Sequence, residues 1–198
     1  SSVYRSRDMM QDDALAAART NDEAQRVLSK ADELGTWLST EADQADAKTI
    51  QKRQRELDAL VSPISRRMSE AERRPAIVAD MRTTLQRART FVDEAKANLT
   101  QALAQKSASK YTAAELDTLD AQIRKDATWL EDGVLAQDKR KLQEEPVLWV
   151  SDILARDQKL QDTVKRLSRR RIPKTRPKKS SSTTSASSST STSSTTTT

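Results

Sequence analysis

Two glycines in 198 residues constrain this chain more than any other feature of its sequence. Tight hairpin turns need residues that tolerate positive φ, so two glycines cannot serve the turns of an all-β domain, and they cannot build the glycine-rich loop of a nucleotide site. Ala, Leu, Arg, Gln, Glu and Lys are abundant, whereas there is one Phe, two Tyr and three Trp. The abundant types lose little side-chain entropy in a helix, and the chain reads as all-α.

The sequence contains neither His nor Cys. An ordinary zinc site, a disulfide framework, an iron-sulfur centre and a thiol or Ser-His-Asp nucleophile are therefore excluded, as is the Glu-x-x-His pair of a di-iron bundle. Carboxylates are plentiful, among them Asp12, Asp13, Glu41, Asp43, Asp46, Glu144 and Glu145, but no spacing singles out an acid/base pair. The chain is expected to act by binding, not as an enzyme, with no metal and no cofactor of its own. No apolar run approaches the roughly 20 residues that cross a bilayer, and the start at Ser1 and Ser2 reads as that of an excised fragment.

The charge is unevenly placed. Arg169, Arg170, Arg171, Lys174, Arg176, Lys178 and Lys179 fall within eleven residues, and no acid follows them. Taking these seven cations from the net +6 leaves the first 168 residues at −1. Pro173 and Pro177 interrupt the basic run, and 180–198 is Ser or Thr except for Ala186. Such a segment buries too little apolar surface to offset its ordering entropy, so 169–198 is expected to be a disordered tail. A solvated linker is the preferred reading of the basic run, with a nucleic-acid, nuclear-import or anionic-membrane contact, salt-sensitive in its binding, as the alternative; no aromatic residue is interleaved to stack on bases.

Apolar residues recur at helical spacing along residues 1–168. Val27, Leu28, Ala31, Leu34 and Leu38 form one stripe, and Ile50, Leu57, Leu60, Val61, Ile64 and Met68 the next. A third runs from Ile77 through Val78, Met81, Leu85, Ala88, Val92, Ala95 and Leu99 to Leu103. Thr112-Ala113-Ala114-Glu115 has the form of a capping box that starts another helix, with Leu116, Leu119, Ile123, Ala127, Leu130 and Val134 inward and a break at Gly133. A last helix opens near Pro146 and buries Leu148, Ile153, Leu154, Leu160, Val164 and Leu167. Residues 2–20 are read as helical too. With boundaries near Asn21, Ala45, 69–75, 106–112 and 139–146, the expectation is an antiparallel helical bundle of about six helices, with an N-terminal half 1–105 and a C-terminal half 111–168.

Trp37, Trp129 and Trp149 are read as closing the ends of a core, although Trp149 stands in an apolar patch that could also bind. Asn98-Leu99-Thr100 is an N-glycosylation sequon, placed late in a helix. The segment 62–75 packs charges of both signs between Pro63 and Pro75 and is expected to form a helix-to-helix corner, its Arg forks and carboxylates either fit for a polar protein interface or paired with one another in a solvated turn.

One further reading comes from the order of short motifs. Val3-Tyr4-Arg5-Ser6-Arg7-Asp8, Trp37-Leu38, Leu57-Asp58-Ala59-Leu60-Val61-Ser62-Pro63-Ile64, Arg66 and Arg67, Glu70 and Glu72, and Arg74-Pro75 resemble the C-terminal helical region of the large heat-shock-protein-seventy relatives. Tyr111-Thr112-Ala113-Ala114-Glu115-Leu116-Asp117, Trp129-Leu130, Glu145-Pro146-Val147-Leu148 and Asp152-Ile153 are similar to the endoplasmic-reticulum lumenal branch, the one-hundred-and-seventy-kilodalton glucose-regulated class and its fungal counterparts. Two departures are the loop 39–46, which lacks the glycine often found after Trp-Leu, and the absence of a lumenal retention tetrapeptide at Thr198.

The resemblance implies a helical arm that embraces the ATPase domain of a partner heat-shock-protein-seventy chaperone, promotes its nucleotide exchange and helps to hold unfolded polypeptides. ATP would belong to an N-terminal domain of the full-length protein. It also implies the endoplasmic reticulum lumen. Arg66, Arg67, Glu70, Glu72, Arg73 and Arg74 are the residues expected on the partner face. A basic-tailed nucleic-acid-binding protein or a spectrin-like scaffold is the alternative.

Overall fold

Helix starts in this chain are written in polar side chains that catch otherwise unpaired amides. A computed structural model describes residues 2–41 and 44–172, and six α-helices and no strand are found among them. They are α1 (Ser2–Gln11), α2 (Asp13–Ala16), α3 (Asn21–Thr40), α4 (Ala47–Ala104), α5 (Ala113–Asp138) and α6 (Val150–Ser168). Asp12 accepts from the Ala14 amide and Asp46 from the Thr49 amide. Thr20 with Glu23 and Thr112 with Glu115 form complete capping boxes, the second as the sequence predicts. The opening segment is not one helix, because the Asp12 cap restarts the chain as α2.

The expected corner at 69–75 is absent. Helix α4 continues through Pro63 and Pro75 for 58 residues, about 87 Å at 1.5 Å per residue. Each proline removes an amide and frees the carbonyl four residues earlier, at Ala59 and Ala71, and local sequence alone would stop the helix there. Packing overrides that tendency. Leu57 and Ile64 are wholly buried around Pro63, and Val78 and Met81 are buried just beyond Pro75, so both flanks of the proline segment are fixed by tertiary contacts.

Ion pairs give the packing register. Arg7 to Asp32 sets α1 antiparallel to α3, while Lys30 to Glu56 and Arg67 to Glu23 set α3 antiparallel to the first half of α4. Arg82 to Glu131 and Lys96 to Asp120 do the same for α4 and α5, and Arg156 to Asp126 and Arg170 to Glu115 for α5 and α6. Helices α1, α2 and α3 thus pack on the first half of α4 and α5 and α6 on its second half, with α4 as a common spine. Their buried cores divide inside α4. Val3, Val27, Leu34, Trp37, Leu57 and Ile64 belong to one core, and Met81, Leu85, Ile123, Leu130, Ile153 and Leu160 to the other. The division lies between Ile64 and Val78, not at the polar connection near 105–110.

Three smaller expectations also change. Leu38, Ile50, Leu103 and Leu154 were placed in core stripes but are exposed, whereas Trp37 is buried. The last helix starts at Val150, and 139–149 crosses from α5 to α6 as a strap. Gly133 does not break α5: Leu148 of the strap lies over it so closely that an added Cβ would stand 2.9 Å from the Leu148 Cδ1. The basic and Ser/Thr-rich tail from 173 onward lies outside the described residues.

Helix α4 ends in a Schellman motif, with the Ser107 amide donating to the Ala102 carbonyl (2.9 Å) and the Lys106 amide to the Leu103 carbonyl (3.1 Å). The left-handed position that glycine usually fills is held by Lys106, at φ 50°. Left-handed backbone costs an L-residue about 1–2 kcal/mol, so Lys106→Gly should raise the unfolding free energy by about 1 kcal/mol in urea denaturation. An unchanged or lower midpoint would contradict this assignment.

Candidate interaction surface

The proline-flanked segment of α4 lies where the two cores meet, and four of its six predicted interface residues face inward or across to other elements. Arg67 is 5% exposed. Its Nε donates to the Ala18 carbonyl at 3.0 Å and its NH2 to Glu23 Oε1 at 2.7 Å, joining α4 to the α2–α3 connection. Arg66 spans the opposite way. It donates to Glu145 Oε2 at 3.0 Å, and its guanidinium lies 4.8 Å from the centre of the Trp149 ring.

Glu70 and Arg74 hold the strap and the start of α6. The N-cap residue of α6, Trp149, has no side-chain cap of its own. Glu70 Oε2 fills that role from α4, accepting the Val150 amide at 2.8 Å, where a carboxylate also meets the positive end of the helix dipole. Arg74 Nε donates to the Leu148 carbonyl at 2.8 Å. Burial pushes the Arg74 guanidinium below its ordinary value, with Glu70 opposing.

Glu72 and Arg73 are exposed, and neither makes an ion pair among the described residues. The six residues therefore separate by helix face: Arg66, Arg67, Glu70 and Arg74 tie the cores together, and Glu72 and Arg73 point outward. Sequence reasoning missed the partners Ala18, Glu23, Glu145, Leu148 and Val150. They stand 44 to 80 positions away from their α4 partners, so no local spacing could connect them. Glu145 and Leu148 are in a motif whose order was legible, but the motif carried no information on what it touches.

The tryptophans share a device that the sequence did not reveal. Arg53 lies over Trp37 at 4.6 Å, Arg66 over Trp149 at 4.8 Å and Arg156 over Trp129 at 4.0 Å. In each case a cation from one helix covers an indole of another element, worth about 0.5–1 kcal/mol where exposed. Arg156 also pairs with Asp126, which is buried, at 2.9 Å. Asn98 is exposed on the outer face of α4, and the sequon's Thr100 hydroxyl donates to the Lys96 carbonyl at 3.0 Å.

Burial disfavours the ionised form of Glu23, but the Thr20 amide and the Arg67 guanidinium outweigh it and hold the carboxyl below its ordinary value of 4.5. No cluster of three or more metal-ligating side chains exists among the described residues, and no described helix is long and apolar enough to cross a membrane. What the surface offers is fixed charge on a braced helix.

Residues 92–171 match the family described as "HYOU1-like, C-terminal domain". Over 176 residues, 89% of this chain, the sequence is 27% identical to heat shock 70 kDa protein 17 of Arabidopsis thaliana. Over 151 residues, 76% of the chain, it is 23% identical to hypoxia up-regulated protein 1 of Gallus gallus. The matched segment spans 19% of the first relative and 14% of the second. No solved structure matches the chain. The chain is thus similar over residues 92–171 to the HYOU1-like C-terminal domain, and over most of its length to a segment of two large heat-shock-protein-seventy relatives.

Proposed function

We propose that this chain is a non-catalytic interaction arm of a large chaperone, contributing to nucleotide exchange on a partner heat-shock-protein-seventy ATPase domain and to the holding of unfolded polypeptides. The observation that carries the reading is the bracing of α4. A partner that must be held open gains from an arm only to the extent that the arm binds its open form better than its closed form. A single helix with two prolines would yield under that load, whereas Arg66, Arg67, Glu70 and Arg74 tie this one to both cores. Glu72 and Arg73, outward on the same segment, are the contacts we assign to the partner. The similarity to hypoxia up-regulated protein 1 supports the endoplasmic reticulum lumen as the working compartment.

The test is release of a fluorescent ADP from a lumenal heat-shock-protein-seventy ATPase domain, with and without the chain. Faster release that is lost in Glu72→Arg/Arg73→Glu supports the reading. If the chain neither speeds release nor suppresses aggregation of a denatured protein, the reading fails.

A further inference from the structure

The end of the molecule where α4 and α6 finish and α5 begins has features that the arm reading leaves unused. Lys106 and Lys110 of the α4–α5 connection are exposed there, and so are Lys165, Arg166, Arg169 and Arg171 at the end of α6. None of these six cations has an ion pair among the described residues. Arg170 is paired, with Glu115 at 2.7 Å, and that pair pins the end of α6 to the start of α5. Arg169 and Arg171, the described unpaired residues of the basic run, thus belong to a charged pole at this end.

Of these cations, Lys110 lines a hollow of about 340 Å³ at this end of the molecule. Asn98, Gln101, Gln105, Ser107 and Ser109 supply it with amide and hydroxyl groups, and Ile172, 54% exposed, forms an apolar edge. Side-chain amides both donate and accept, as the backbone of an extended peptide requires. The one aromatic ring in the hollow, Tyr111, is engaged edge-on with Phe91 at 5.8 Å and is poorly placed to stack on a base.

We propose that this pole docks an acidic, extended polypeptide segment carrying an apolar side chain: the carboxylates meet Lys106, Lys110 and the α6 cations, the peptide backbone meets the amides of the hollow, and the apolar side chain covers Ile172. The proposal rests on the holding part of the proposed function, for which it names a segment chemistry and a site, and is independent of the exchange contacts, since the pole is on a different part of the chain from Glu72 and Arg73.

The experiment is fluorescence anisotropy with the full 198-residue chain and a labelled peptide of alternating Glu and Gly with one central Leu. Controls are the same peptide with Gln for Glu, a single-stranded DNA of equal length, and vesicles containing phosphatidylserine. The expected result is preferential binding of the acidic peptide, weakened by added salt and reduced about tenfold by Lys106→Gly/Lys110→Gln, while Arg87→Gln/Arg89→Gln binds as the parent does. Because Lys106→Gly should not destabilise the fold, loss of binding at undiminished thermal stability separates recognition from unfolding. Equal binding by the Lys106→Gly/Lys110→Gln variant, absence of binding to the acidic peptide, or tighter binding of the DNA or the vesicles would overturn the proposal. ADP release measured on the same variant stays unchanged if the two sites are separate, and a parallel loss would refute that separation.

Discussion

Replacing Arg67 by alanine is expected to lower the unfolding free energy by about 3 kcal/mol, the low end of the range for breaking a buried ion pair. The side chain is 6% exposed, and its removal strands two acceptors, the Ala18 carbonyl and Glu23. Partial access of water to Glu23 keeps the expected loss toward the lower figure. Methionine at 67 should recover part of the packing but not the hydrogen bonds, and Arg67→Met/Glu23→Gln should be more stable than Arg67→Met because it leaves no unpaired charge. Urea denaturation of the four proteins decides this. A loss below about 1 kcal/mol for Arg67→Ala, the scale of an exposed pair, would show that the bridge between α4 and the α2–α3 connection does not hold the fold.

The same contact gives a pH dependence of known sign. Glu23 has a folded-state value below 4.5, so its ionised form favours the folded state. This stabilisation is fully present above the unfolded value and is lost as pH falls through the lowered folded value. Denaturation midpoints measured from neutral pH down to about 3 should show the loss in the parent protein and a smaller one in Arg67→Met, where the guanidinium no longer depresses the carboxyl. Identical acid profiles would place the acid sensitivity elsewhere.

Leu148→Ala is expected to cost about 3–4 kcal/mol, since Leu148 is 1% exposed in the second core and its truncation leaves a cavity. Its neighbour makes the test more demanding. In the parent, Gly133→Ala places a methyl group 2.9 Å from the Leu148 Cδ1, so the crowding should outweigh the helix propensity gained. Once Leu148 has been truncated, the same methyl partly fills the cavity, and removing a glycine from a helix interior adds about 1 kcal/mol. Gly133→Ala should therefore destabilise the parent and stabilise Leu148→Ala. A double-mutant cycle measures that reversal of sign, and simple additivity would refute the packing of the strap on α5.

Local chemistry was the legible part of this protein. The capping box at Thr112 and Glu115 needs only four adjacent residues, and it formed as the sequence indicates. The inward positions of α5, Leu116, Leu119, Ile123 and Leu130, follow from helical period alone. The motifs that suggested heat-shock-protein-seventy relatives are spread along the chain, and the relatives match 89% and 76% of it.

Helix α4 shows where such reasoning stops. Two prolines and a dense run of charges at 62–75 carry the local signature of a corner, because each proline removes a helix hydrogen bond. Whether the helix ends there depends on what neighbouring elements contribute, and Leu57, Ile64, Val78 and Met81 contribute burial on both sides. Gly133 was misread for the same reason: Leu148, fifteen positions later, occupies the space its missing side chain leaves.

The sequence by itself determined that the chain is helical, where most helices begin, which chemistries lack their residues and which family it resembles, since each of these rests on residue type or on neighbours within a few positions. Only the tertiary structure decided that α4 is continuous, that the cores divide along it, and that Arg66, Arg67, Glu70 and Arg74 face their distant partners while Glu72 and Arg73 face outward. Those outcomes turn on contacts up to 80 positions apart, whose energies exceed the local preferences they override and leave no trace in local spacing.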